Sequence, residues 1–113
     1  MKESVKYIGK IVDVEIDRPY GSLHPKWGFL YEVNYGFIPG TISGDGEELD
    51  AYILGINEPL QQFKGEVIAV VERQQQDDDK LIVVEEGKSF TDEEISKMIK
   101  FQEGNFPYKI LRK

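Results

Sequence analysis

Apolar and polar residues alternate near the N-terminus. Over residues 8–17, Val12, Val14 and Ile16 alternate with acidic residues, which is the period-two spacing of a half-buried β-strand. Turn residues separate this segment from later apolar stretches rich in β-branched and aromatic side chains. These stretches predict strands over residues 31–37, 50–55, 66–73, 80–85 and 108–111.

Only residues 89–103 have a convincing helical pattern. Thr91 and Glu94 have capping-box spacing, the apolar residues that follow fall near helical spacing, and Gly104-Asn105 is typical of a helix end. Five or six short strands and one late helix predict a mainly β fold. We expect a small closed, five- to six-stranded OB-like β-barrel with one C-terminal α-helix packed against it.

The length and composition narrow the class of protein. A chain of 113 residues suits one domain covering residues 1–113. No apolar run approaches the roughly 18 residues of a membrane helix, and no secretory signal is expected. The absence of cysteine excludes disulfides and thiolate chemistry and fits a cytoplasmic protein. The sequence leaves a homo-oligomer open.

The formal net charge of −7 opposes binding to phosphate backbones, so nucleic acid is not an expected partner. A small phosphate anion would also be repelled unless bound cations or a basic patch reversed the local field. Arg18, His24 and Lys26 are a dense cationic group that could do so. For Arg18, a surface ion pair with Asp17 or Glu15 is equally compatible with the sequence.

Three carboxylates, Asp45, Glu47 and Asp50, lie on a glycine-punctuated turn. Extended residues two apart point the same way, so Asp45 and Glu47 can share one cation, and Asp50 can face the same cavity. Mg²⁺ prefers such oxygen ligands, together with water and substrate phosphates. From composition alone, a solvated acidic hairpin tip is the commoner outcome.

The sequence Asn-Tyr-Gly-Phe-Ile at 34–38, followed by Asp-Gly-Glu-Glu-Leu-Asp at 45–50, resembles the signature of soluble, family I inorganic pyrophosphatases. Members of this family hydrolyse diphosphate to two phosphates with Mg²⁺. The resemblance implies that Asp45, Glu47 and Asp50 bind catalytic metals. It also implies that Glu47, in place of the family's aspartate, helps to activate the attacking water.

The same resemblance implies further site residues. Tyr31 and Tyr35 match tyrosines that line the family's substrate cavity, and Tyr35 would donate a hydrogen bond to a phosphate oxygen. Glu15 matches a strand glutamate of that cavity. In the second acidic cluster, Asp78 matches a metal aspartate and Lys80 the accompanying lysine.

Some family features have no direct match. A further metal aspartate falls near Gln75 or Gln76, where Asp77 would have to compensate. The chain is also too short for a hairpin whose lysine, glutamate and arginine grip phosphate in the family. We therefore expect Arg18, His24 and Lys26 to stand in for this hairpin, with Arg18 and Lys26 binding phosphate. A single histidine such as His24 is more often a structural hydrogen-bonding group than a ligand or catalyst.

The leading hypothesis is Mg²⁺-dependent hydrolysis of diphosphate. The alternatives are a catalytically weakened phosphate- or nucleotide-binding module, a hydrolase of another phosphoanhydride, and, least favoured by the charge, a nucleic-acid-binding barrel. The predicted catalytic residues are Glu47, Asp50, Tyr35 and Lys80; the predicted substrate-binding residues are Arg18, Lys26, Tyr31, Tyr35 and Glu15; and the predicted metal ligands are Asp45, Glu47, Asp50 and Asp78.

Overall fold

The structure is a computed structural model that describes residues 3–42, 46–74, 76 and 78–113. It confirms the mainly β architecture and the single C-terminal helix. The elements are a 3-10 helix (Glu3–Tyr7), β1 (Ile11–Arg18), β2 (Asn34–Ile38), β3 (Leu49–Ile53), β4 (Gln62–Arg73), β5 (Lys80–Val84), α1 (Asp92–Glu103) and β6 (Tyr108–Leu111).

Five strands close into a barrel in the order β1-β2-β3-β5-β4, and β6 pairs with the outer part of β4. Every pairing is antiparallel except β3 with β5, which is parallel. The first half of β4, from Gln62 to Glu66, pairs with β1 and completes the closure. The sequence predicted a start at 66, because exposed Gln62 and Lys64 give no apolar signal.

Alternation along the strands separates two apolar layers. The barrel interior takes residues from all five barrel strands, including Val14, Ile38, Leu49, Val67 and Leu81. A second layer lies between the outer face of the sheet and α1. It includes Tyr52, Ile82 and Val84 from the sheet and Ile95 and Ile99 from the helix.

The predicted capping box of α1 is confirmed. The Glu94 backbone N–H donates to the Thr91 hydroxyl at 3.1 Å, and the Glu94 side chain accepts from the Thr91 N–H at 2.8 Å. The helix ends at Glu103 with Gly104 as its C-cap, as expected, but Gly104 is right-handed at φ −60° and not left-handed. Among the described residues, no helix has the length and apolar character needed to cross a membrane.

The segment that predicted a strand over 31–37 is a strand only from Asn34 onward. Upstream of it, residues 19–33 form a loop, here termed the 19–33 loop. Its two arms are joined by hydrogen bonds between Gly21 and Tyr31 and between Tyr31 and Ser22. These bonds fix Tyr31 beside the outer face of the sheet.

Gly36 allows β1 and β2 to approach closely, which gives a testable expectation. A Cβ at this position would lie 1.8 Å from the carbonyl oxygen of Glu15. Gly36→Ala should therefore lower the free energy of unfolding by about 3 kcal/mol, as measured by urea denaturation. Gly87→Ala is a matched control, because its positive φ costs only about 1 kcal/mol and no atom lies near its Cβ. A loss at Gly36 no larger than at Gly87 would contradict the close approach.

Candidate active site

A cavity of about 730 Å³ opens where the outer face of the sheet meets the end of α1 and the 19–33 loop. Charged residues come from the strand ends, and aromatic residues come largely from the loop. The cavity brings together six of the predicted site residues: Arg18, Tyr31, Tyr35, Asp50, Asp78 and Lys80.

Asp50 and Lys80 meet because their strands are in register. β3 and β5 are parallel neighbours, and Asp50 is directly paired with Lys80. Leu49 and Leu81 point into the barrel, so the alternation sends Asp50 and Lys80 to the outer face. Their side chains form an ion pair of 3.1 Å between Nζ and Oδ2.

Lys80 is the centre of this cluster and only 2% exposed. Its Nζ also donates to Oδ1 of Asp78 at 3.1 Å and lies 5.5 Å from the ring centre of Tyr35. The Tyr35 hydroxyl donates to Oδ2 of Asp50 at 2.6 Å. Burial, reinforced by the Asp50 charge, raises the pKa of Tyr35 well above its usual value. The hydroxyl therefore stays protonated and remains a donor.

The Tyr35 hydroxyl and the Lys80 ammonium both donate to the same oxygen of Asp50, Oδ2. Within the described residues, Oδ1 of Asp50 receives no protein hydrogen bond. This oxygen is therefore available to a ligand in the cavity.

A buried ion pair links the end of β4 to the end of α1. Arg73, at the end of β4, contacts Glu103 through Nε–Oε1 at 2.9 Å and Nη2–Oε2 at 2.8 Å. Burial of Glu103 favours its neutral form, but the bonds from Arg73 and Tyr52 outweigh this and lower its pKa. The same pair raises the pKa of Arg73 against the effect of burial. Both groups are therefore charged at neutral pH.

The pair continues into a chain of hydrogen bonds. Tyr52 donates to Glu103 at 2.6 Å, Gln102 donates to Tyr52 at 2.7 Å, and Tyr31 donates to Gln102 at 2.9 Å. The remaining guanidinium nitrogen, Nη1 of Arg73, donates to Asp78 at 3.2 Å. The end of α1 therefore fixes both Tyr31 and Arg73 at the cavity.

The sequence interpretation missed Arg73 and Glu103. Glu103 follows Ile95 and Ile99 at intervals of four, which places it on the buried stripe of α1. A carboxylate on such a stripe requires a buried cation. Arg73 continues the outward alternation of Val71. The buried stripe of α1 and the alternation of β4 could have identified the two residues. Neither pattern shows that they form an ion pair.

A family model described as inorganic pyrophosphatase matches residues 10–110. The chain belongs to the inorganic pyrophosphatase family. Its family and fold are those of a hydrolase of this type. No curated protein sequence gives a significant match.

Solved pyrophosphatases share the fold of this family member. The enzyme from Ehrlichia chaffeensis is 17% identical, with a TM-score of 0.71 over 93% of this chain and 87% of that one. The Helicobacter pylori enzyme is 20% identical, with a TM-score of 0.61 over 99% and 88%. The Neisseria gonorrhoeae enzyme is 24% identical, with a TM-score of 0.61 over 82% and 72%.

Glu15 does not line this cavity, contrary to the expectation from the family signature. Val12 and Val14 point into the barrel, so Glu15 points outward to a second depression beside Gln62. The pairing of β1 with β2 then shifts between Ile16 and Arg18. This irregularity re-aims the strand and brings Asp17 and Arg18 to the cavity. Partial burial raises the pKa of Asp17, although Arg18 opposes the shift.

Lys26 and Glu47 also lie outside the residues that line the cavity. The Lys26 ammonium sits 4.7 Å above the Trp27 ring on the exposed loop. Glu47 is exposed in the turn before β3, where the neighbouring Glu48 accepts a hydrogen bond from the Gly40 N–H. The strand begins only after this turn, so its alternation directs Asp50 but not Glu47.

Three predicted or considered residues, Asp45, Gln75 and Asp77, lie outside the described residues. Gln76 is described, and it accepts a hydrogen bond from Arg73 at 3.1 Å. Within the described part of the chain, no group of three or more acidic, histidine or cysteine side chains could hold a metal ion. Of the predicted metal ligands, the structure brings together Asp50 and Asp78, which both accept hydrogen bonds from Nζ of Lys80 at 3.1 Å.

His24 has a structural contact in the loop. Its Nδ1 accepts the backbone N–H groups of Lys26 at 3.1 Å and Trp27 at 3.0 Å. The ring also packs 4.8 Å from Phe29. His24 therefore shapes the loop that forms one cavity wall.

The charges on the described cavity wall are balanced, in contrast to the net charge of −7 for the whole chain. This balance weakens the repulsion that the acidic surface would exert on a phosphate anion. The wall carries the carboxylates Asp17, Asp50 and Asp78 and the cations Arg18, Arg73 and Lys80.

Proposed function

We propose that this chain hydrolyses diphosphate to two phosphates with the help of Mg²⁺. The observation that carries the proposal is the contact of Lys80 with Asp50 and Asp78 beside Tyr35, in a chain of the inorganic pyrophosphatase family. The cluster combines anion-binding donors with carboxylates that can bind a metal. It lies in a cavity open to small molecules.

The cations would hold the phosphates. Lys80 donates to both carboxylates, so phosphate oxygens bound beside them are within its reach. Arg73 presents Nη1 to the same region while Glu103 fixes its other two nitrogens. Arg18 supplies another charge on the cavity wall. Fixed donors of this kind stabilise the charge that develops during phosphoryl transfer.

Asp50 and Asp78 would hold the metal. Their carboxylates are hard oxygen donors, and Mg²⁺ commonly combines one or two such groups with water and substrate phosphates. Oδ1 of Asp50 accepts no hydrogen bond from the described residues, so its position fits the role of a metal ligand. Asp45 and Glu47 stay proposed additional ligands from the sequence. When bound, the metal supplies a water of lowered pKa and neutralises phosphate charge.

Tyr35 would act as an electrostatic donor. Its hydroxyl stays protonated, because burial and the Asp50 charge raise its pKa. A phosphate oxygen next to Asp50 could accept that hydrogen bond. In the reaction, a water oxygen bonds to one phosphorus and the bond from that phosphorus to the bridging oxygen breaks. The second phosphate leaves with the electron pair of that bond, and the proton lost from water passes to solvent.

The second candidate is a phosphate-binding module without turnover. It is favoured by the absence, within the described residues, of a group of three acids that could hold a metal. It is also favoured by the contact of Asp78 with Arg73, which already neutralises part of its charge. Ligand binding without phosphate release would identify this function.

The test is phosphate release from diphosphate with Mg²⁺ and with a chelator. We expect release only with the metal, and Lys80→Met should reduce it about 100-fold because a central cation is lost. Lys64→Met is the matched control on the exposed side of β4. Circular dichroism checks that both variants fold. Full activity of a folded Lys80→Met protein would contradict the assigned role.

A further inference from the structure

Part of the cavity wall, contributed by the 19–33 loop, is aromatic. Trp27 and Phe29 line it together with His24, whereas Phe106 packs against Arg73, with the guanidinium carbon 4.0 Å from its ring centre. Trp27 is 69% exposed and is the single tryptophan of the chain. An exposed tryptophan on a cavity wall offers a flat surface on which the ring of a ligand can stack.

The aromatic part of the wall is connected to the charged residues. Starting from Lys80, the Tyr35 ring lies 5.5 Å away, and the Tyr31 ring is 5.6 Å from that of Tyr35. His24 follows at 6.2 Å, nearly parallel to Tyr31, and Nδ1 of His24 accepts a hydrogen bond from the backbone N–H of Trp27. A row of rings therefore runs from Lys80 to the loop that carries Trp27.

The size of the cavity also favours an organic ligand. Its volume of about 730 Å³ lies within the range of roughly 300–1,000 Å³ that is usual for organic ligands. Diphosphate would fill only the charged end. The lining of the cavity also includes Asn105, whose Oδ1 accepts no hydrogen bond from the described residues.

We propose that the cavity takes nucleoside di- and triphosphates, with the base against Trp27 and the terminal phosphates at Lys80 and Arg73. This substrate class rests on the proposed function, because the phosphates use the same charged end. Bases stack on aromatic side chains largely independently of sequence. Lys26 lies over the Trp27 ring, which leaves the opposite face for a base.

The reaction would be the hydrolysis of the terminal phosphoanhydride. A water oxygen bonds to the terminal phosphorus, and the bond from that phosphorus to the bridging oxygen breaks. The shortened nucleotide leaves with the electron pair of that bond. The proton lost from water passes to solvent. A nucleoside triphosphate gives a nucleoside diphosphate and phosphate.

The single tryptophan allows a direct test of binding. We would titrate the protein, with Mg²⁺ present, with adenosine 5′-(β,γ-imido)triphosphate and with inorganic imidodiphosphate, and follow tryptophan fluorescence. The nucleotide analogue should change the emission saturably, and imidodiphosphate should leave it unchanged. An unchanged emission with the nucleotide analogue overturns the proposal.

Variants separate stacking from phosphate binding. By calorimetry, Trp27→Ala should weaken binding of the nucleotide analogue about tenfold relative to imidodiphosphate, and Trp27→Phe should retain most of the preference. Leu23→Ala is the control, since Leu23 is exposed on the same loop but does not line the cavity. An equal effect of Trp27→Ala on both ligands overturns the stacking role.

The two proposals fail differently. Phosphate release from diphosphate without a nucleotide-specific change in emission sinks only the nucleotide proposal. Saturable nucleotide binding without release from diphosphate sinks the proposed diphosphatase function and keeps the ligand class. The absence of both overturns both.

Discussion

Asp50→Asn is expected to lower phosphate release from diphosphate at least about 100-fold while the barrel stays folded. The variant loses a charged ligand on the cavity wall, which weakens both metal binding and the ion pair with Lys80. An asparagine oxygen can still accept the hydrogen bond from Tyr35, and Lys80 keeps its contact with Asp78. Phosphate release and Mg²⁺ affinity by calorimetry would measure the effect.

The matched control for Asp50 is Asp13→Asn. Asp13 is an exposed strand aspartate outside the cavity, so the same chemical change should leave both readings at the wild-type level. Unchanged Mg²⁺ affinity in a folded Asp50→Asn protein would refute the metal assignment. A loss of activity with normal Mg²⁺ affinity would instead assign Asp50 to orienting Lys80 and Tyr35.

Glu103→Gln is expected to lower the free energy of unfolding by about 3 kcal/mol. Glu103 is fully buried and pairs with Arg73 through two bonds. Without the Glu103 charge, the buried Arg73 guanidinium keeps only the carboxylate of Asp78, 3.2 Å away, so much of its charge is no longer compensated. Urea denaturation would measure the loss, and Glu86→Gln on an exposed turn provides the control. A loss below about 1 kcal/mol would contradict the importance of the pair.

The pH dependence of the folding stability tests the same ion pair, and its direction follows from the lowered pKa of Glu103. The pKa of Glu103 in the folded chain is lowered from 4.5, so the pair contributes its full stability above that value. This contribution is lost as the pH falls through the lower folded pKa. The difference in stability between wild type and Glu103→Gln should therefore shrink in acid.

Adding Arg73→Met to Glu103→Gln should recover part of the lost stability, because both charges are then removed.

Local patterns predicted most of the elements. The alternation around Val14 identified β1, and the Thr91 and Glu94 spacing identified the start of α1, because strand alternation and helix capping depend on neighbouring residues. The start of β4 was placed four residues late. Its first half is held by pairing with β1, between segments distant in sequence.

The site was predicted less completely. The motif identified Tyr35 and Asp50, and the structure joins them through a 2.6 Å hydrogen bond. The family resemblance implied Glu15 at the cavity, whereas Asp17 and Arg18 line it. The irregular strand pairing between Ile16 and Arg18 has no simple sequence signal. Arg73 was missed, since its role depends on Glu103, which lies 30 residues away.

The sequence by itself determined the mainly β fold, the late helix and the acidic and tyrosine residues that could serve a phosphate site. Strand alternation and local turn chemistry are enough for these features. Only the tertiary structure decided which charges meet. Asp50 reaches Lys80 through the parallel register of β3 and β5, and Arg73 reaches the cavity through its ion pair with the buried end of α1. Such contacts depend on strand order and helix packing, which no local pattern specifies.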